Sequence, residues 1–140
     1  MFWNGLERYR DLGMLIIRVG FGLGFTWFHG IPKLMSGMEG LAGRGREMAL
    51  FGITFGYEWW GLLAASIETF AGLTFALGLF FRLSSLGLLS VMFVATVANF
   101  AGRGDPADSF KNAWLFAGLV FMGPGRYSMD AMLERRRQGR

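Results

Sequence analysis

The chain has 140 residues and a formal net charge of +4, with 53% apolar and only 17% charged residues, a balance outside the ordinary range of soluble globular domains. The apolar residues stand in long blocks that exceed the needs of a soluble core helix or a cleaved signal sequence. No cysteine is present, which excludes disulfide exchange, thiolate catalysis, iron-sulfur ligation and Cys-based zinc sites for the chain acting alone.

The composition therefore reads as an integral membrane protein. Its basic residues collect at the ends of the apolar blocks, which makes anionic lipid headgroups the expected partner and argues against nucleic acid. The first dozen residues, with Trp3, Arg8, Tyr9 and Arg10, suit a short interfacial lead-in. A first span is expected over residues 12–28, retained as an uncleaved insertion signal. On a helical wheel Arg18, Gly22, Phe25 and His29 share one face of it, opposite Ile16, Leu23 and Trp27.

Residues 30–58 hold Pro32, several glycines, Arg44, Arg46 and Glu47, so no continuous span fits there and an interfacial or re-entrant helix is expected. The second span, 59–81, carries Glu68 as its only charge. Gly61, Ala65, Glu68, Gly72 and Ala76 form a small-residue face, while Leu63, Ile67, Phe70, Leu77 and Phe81 form a bulky one. Small faces allow close helix approach in lipid, so Glu68 is expected to point into a bundle.

Arg82 marks the end of that span, and residues 83–100 form an uncharged third span close behind it, as its antiparallel neighbour. Pro106 and Asp108 can start a fourth helix over residues 107–122, which Gly123, Pro124 and Gly125 stop. The basic tail, 126–140, has Ser128 and Asp130 placed for a helix N-terminus. The fold class is thus all-α, a polytopic membrane protein built as a four-transmembrane-helix bundle. With four spans, eight Lys and Arg residues flank the terminal side and five the other, which favours cytoplasmic termini.

Arg18 and Glu68 stand out because a charge in hydrocarbon is usually paired or functional. Span lengths place them about 7 Å apart in depth, within reach of an arginine side chain, so an intramembrane ion pair is expected. As an alternative to a site, such a pair can serve only to fix helix register. His29 and Lys33, one turn apart, together with Asn99 and Asn112, are expected to form the polar mouth of a pocket leading to that pair. No metal site is expected, since His29 is the single histidine and no thiolate is available.

Three stretches, RVGFGLGFTWFHGIPKL, IETFAGLTFALGLFFR and GPGRYSMD, together resemble the DoxX family of small four-helix membrane proteins. The resemblance implies a multi-pass protein of the prokaryotic cytoplasmic membrane. For some relatives it implies membership in redox assemblies, as part of a quinone-reducing oxidoreductase or beside oxidative-stress enzymes, with a soluble partner. It leads to three readings: a membrane subunit of a redox complex with quinone as acceptor, a scaffold or lipid-binding module, and a small transporter working as a homo-oligomer. Asn99 stands where relatives often carry His, and Lys111 and Asn112 stand where an acid is common.

Overall fold

The computed structural model describes residues 7–139, so Trp3 and Arg140 lie outside the described residues. All the regular structure among them is helical. We label the helices α1 (Glu7–Leu34), α2 (Gly37–Gly45), α3 (Tyr57–Leu77), α4 (Phe81–Arg103), α5 (Ala107–Met122) and α6 (Met129–Gln138). A 3₁₀ segment, Arg46–Phe51, follows α2.

Helices α1, α3 and α4 are each long and apolar enough to cross a membrane. Helix α5 has 16 residues, about 24 Å at the α-helical rise. It packs along α4 and closes the bundle through an aromatic core. The Phe116 ring meets Phe25 of α1 at 5.1 Å and Phe75 of α3 at 5.5 Å, both edge-on, and Phe75 stacks on Phe81 of α4 at 4.9 Å.

The amphipathic faces read from the wheel are largely those the fold uses, except that Phe81, expected on the bulky face, is fully buried and Ile67 is half-buried. Gly61, Ala65, Glu68, Gly72 and Ala76 are buried, whereas Leu63, Phe70 and Leu77 are exposed. On α1, Arg18, Gly22 and Phe25 are buried, and Ile16, Leu23 and Trp27 face outward. Small residues bring α1 onto α3. A Cβ on Gly22 would lie 2.5 Å from the Gly72 carbonyl and 2.7 Å from the Ala76 Cβ, and one on Gly30 would collide with Thr69. The Thr26 hydroxyl, between those glycines, donates to the Gly22 carbonyl at 3.0 Å and across to the Thr69 carbonyl at 3.1 Å.

Both ends of the three long helices differ from those expected: α1 begins at Glu7, α3 at Tyr57 and α4 at Phe81, each earlier than residues 12, 59 and 83. Helix α1 continues past Phe28 to Leu34, because the widened turn Phe25–Gly30 puts Pro32 at the start of the α-helical turn that follows, where its missing N–H is tolerated. Helix α3 ends at Leu77 and not at Phe81. Gly78 turns left-handed there, with φ +67°, so Phe81 starts α4 and is fully buried. Charge alone had marked Arg82 as the boundary; it is instead an exposed residue in the first turn of α4. Helix α4 extends beyond the expected residue 100 to Arg103, with a kink at Gly102, whose φ of +89° is left-handed.

Helix α2 continues beyond α1 after a break at Met35–Ser36 and packs backbone to backbone on the first half of α3. A Cβ on Gly61 would collide with the Leu41 carbonyl, and one on Gly45 with the Tyr57 carbonyl. Helix α3 is therefore covered along its length by a broken partner, α1 on its second half and α2 on its first. This break positions the site.

Candidate functional site at the break between α1 and α2

Helices α1 and α3 each contain a widened π-type turn, Phe25–Gly30 and Ile67–Ala71, and these turns pack against each other. Such turns shift side chains around the helix axis and recur at functional sites. Glu68, fully buried, lies in the α3 turn, and Lys33 lies just beyond the α1 turn. The Lys33 ammonium donates to Glu68 Oε1 at 2.5 Å, with Lys33 itself 17% exposed. Among the described residues, Glu68 Oε2 is buried without a hydrogen-bond partner, as are Arg18 Nε and Nη1.

The expected Arg18–Glu68 pair does not form. Arg18 sits at the other end of α3, where its guanidinium packs against Gly78. It donates through Nη2 to the Tyr127 carbonyl at 3.0 Å. Ten residues of α3 separate Glu68 from Gly78, about 15 Å along the axis. The expected depth failed because the Gly22–Gly72 and Gly30–Thr69 contacts set the register of α1 on α3, not equal helix ends at the membrane surfaces.

The Arg18 end is a knot of chain termini. Asp130 accepts from the backbone N–H groups of Phe80 and Phe81, both at 2.9 Å, and so caps the start of α4. Asp11 accepts from the Arg126 N–H at 3.0 Å. Ser128, fully buried, caps α6 through the Ala131 N–H at 3.1 Å. Gly123 ends α5 with φ +77°, and the turn through Pro124 and Gly125 lays the chain against Met14 of α1.

The four residues expected to share a pocket mouth are divided. Lys33 lines a cavity of about 210 Å³ between α3, α4 and the segment after α2. His29 and Asn112 line a separate groove of about 430 Å³ between α1 and α5, and His29 stacks on Phe25 at 4.9 Å. Asn99 closes the α4–α5 turn, donating to the Asp105 carbonyl at 3.1 Å and to Ser109 Oγ at 3.3 Å.

Arg44 and Glu47 join Lys33 at the mouth of its cavity, while Trp60, Leu63, Ile67, Val91 and Val94 form apolar walls. Burial raises the Glu47 carboxyl above the ordinary carboxylate range, against the opposing pull of Lys33, Arg103 and Arg44. Below it, a groove of about 630 Å³ runs down the α3–α4 seam to Phe80, and Ile67 and Ser90 line both spaces. A polar mouth thus lies beside a long apolar trough.

Sequence reasoning missed Lys33 as the partner of Glu68, and Arg44 and Glu47 altogether. Extending the first wheel past Phe28 would have found Lys33, which follows Gly22 by eleven residues and falls about 20° from it. Nothing in the sequence placed the segment after α2 over the α3–α4 seam.

Fold and site together define a multi-pass α-helical membrane protein with a buried ion pair at a helix break. The DoxX family model matches residues 13–101, more than half of the chain and all of α2 and α3. The chain belongs to the DoxX family. The first two resembling stretches lie inside that match, and GPGRYSMD lies beyond it. Comparison with curated proteins gives no match, and comparison with solved structures gives none.

Proposed function

We propose that this chain is the membrane subunit of a redox assembly and holds the headgroup of a quinone in the cavity at Lys33, while a soluble partner carries out the oxidation. One observation carries the reading: a buried Lys33–Glu68 pair, with a carboxylate oxygen unpartnered among the described residues, adjoins a cavity that shares two wall residues with an apolar trough. A cavity of about 210 Å³ is smaller than the range usual for whole drug-sized ligands. It suits a headgroup, with the isoprenoid tail running down the α3–α4 seam. Lys33 has N–H donors beyond the one given to Glu68 and can direct one to a quinone carbonyl.

The same reading takes α5 as the fourth span, shortened at its start by the exposed Asp108–Lys111 pair. It puts the termini and the basic helix α6 on the cytoplasmic face of a prokaryotic inner membrane, against anionic lipid. A second reading, a module that binds a lipid or another small amphiphile without redox chemistry, is favoured by Arg44 standing beside Lys33 at the mouth.

Trp60, in the cavity wall, supplies the test, because a bound quinone quenches a neighbouring indole. Titrating the detergent-purified chain with decylubiquinone is expected to quench fluorescence saturably. The effect should shrink in Trp60→Phe, and Lys33→Met/Glu68→Gln should weaken binding while preserving the fold. Quenching that neither change alters would defeat the quinone reading.

A further inference from the structure

Lys33, Arg44 and Glu47 line the cavity, with Glu68 behind Lys33 and Arg103 acting on Glu47 from beyond the lining. A neutral headgroup leaves these charges as they are. An acidic headgroup drawn to Lys33 and Arg44 comes to lie beside the Glu47 carboxylate between walls such as Trp60, Leu63 and Val91, where two like charges are strongly disfavoured. Binding one proton removes that repulsion.

The two carboxylates are not equivalent acceptors for that proton. Glu68 is fully buried and holds Lys33, so protonating it would break the pair that orients the ammonium. Glu47 is half-buried at the mouth, forms no ion pair among the described residues, and faces the space a headgroup would fill. The charged groups acting on it come from every neighbouring element: Lys33 of α1, Arg44 of α2, Glu68 of α3 and Arg103 of α4. His29 of α1 lies within electrostatic range of Lys33, Glu68 and Arg44.

We infer that Glu47 is the specificity-determining residue of this cavity: ionised, it restricts the site to neutral headgroups, and protonated, it frees Lys33 and Arg44 to hold an acidic one. The inference rests on the reading that the cavity takes the head of an amphiphile, but not on that amphiphile being a quinone. Its direction is fixed by sign. Affinity for an acidic amphiphile rises as pH falls, because the complex carries one proton more than the empty site. Affinity for a neutral quinone is independent of that proton.

The test uses the full chain in non-ionic detergent with two probes that quench Trp60. One is decylubiquinone, and the other is a brominated long-chain alkyl sulfonate, which stays anionic at every pH used. Between about pH 5 and pH 8, sulfonate affinity is expected to fall by up to about tenfold per unit rise in pH. Glu47→Gln should bind the sulfonate tightly with no slope, and Glu47→Asp should restore the slope. Quinone affinity should be flat in all three proteins.

A sulfonate slope that persists in Glu47→Gln, or the absence of any slope in the unaltered chain, overturns the inference, since the proton is then bound elsewhere or not at all. If the sulfonate shows the Glu47-dependent slope and the quinone fails to bind, only the quinone reading falls. If neither probe quenches Trp60, both fall. Unchanged melting temperatures for the variants confirm that the effect lies in the site.

Discussion

Removing the Lys33 ammonium should do more damage than removing both members of its pair. In Lys33→Met, Glu68 loses the only hydrogen bond of Oε1 and keeps an Oε2 that already has no partner. A fully buried carboxylate is then stranded, and breaking a buried pair in this way costs about 3–5 kcal/mol. Replacing both, as Lys33→Met/Glu68→Gln, removes both charges and should return to within about 1 kcal/mol of the original. At a few degrees per kcal/mol for a chain of this size, the single change should lower the melting temperature by roughly 10 °C in mild detergent. Double-variant cycles by calorimetry or fluorescence melting supply the decisive number. Lys33 and Glu68 should couple by about 2 kcal/mol or more, whereas Arg18 and Glu68, about 15 Å apart along α3, should be additive within about 0.5 kcal/mol. Equal melting of Lys33→Met and the original chain, or stronger coupling of Glu68 to Arg18 than to Lys33, would refute the pairing.

Gly78→Ala should destabilise by about 2 kcal/mol or more, since the position has φ +67° and its Cβ would collide with the Arg18 guanidinium; thermal melting checks it. Asp130→Ala removes the acceptor shared by the Phe80 and Phe81 N–H groups. That change should cost about 1–2 kcal/mol, and hydrogen exchange should quicken in the first turn of α4 with little change elsewhere. Gly61→Val, whose side chain must enter the Leu41 backbone, should detach α2 from α3, read as faster proteolysis between Ser36 and Gly56 while the rest of the bundle persists.

The bundle was legible because its information is local. Gly61, Ala65, Gly72 and Ala76 repeat at helical spacing, and that spacing alone selects the face that packs. The burial of Arg18 and Glu68 was legible for the same reason, since a charge in an apolar block has few tolerable places. Their partners were not legible. Pairing depends on the vertical register of two helices, and the register is set by Gly22, Thr26 and Gly30 meeting Thr69, Gly72 and Ala76. The wheel gives Lys33 its face, but it foretells neither that register nor the two widened turns that meet beside the pair. The early end of α3 was hidden similarly, because Gly78 reads as one glycine among 22 until Arg18, Ser128 and Asp130 converge on its turn.

The two buried ionic residues therefore do different work, and the surroundings of each decide which. Around Arg18 the neighbouring polar groups are committed to the chain itself: Tyr127 offers a carbonyl, Asp130 caps α4, and Ser128 caps α6. Arg18 Nε and Nη1 have no partner among the described residues, but Gly78 packs directly against the guanidinium, so a ligand finds no room there without unpacking the knot. Around Glu68 one carboxylate oxygen has no partner among the described residues, its cation reaches a cavity, and a trough along the α3–α4 seam shares two of that cavity's wall residues. An intramembrane charge is costly wherever it sits. At Arg18 the cost is offset by holding the C-terminal turn against α1, and no comparable backbone structure depends on Glu68. What remains for Glu68 is to fix the direction of Lys33, whose ammonium stands at the edge of an apolar cavity, where the proposed headgroup would meet it.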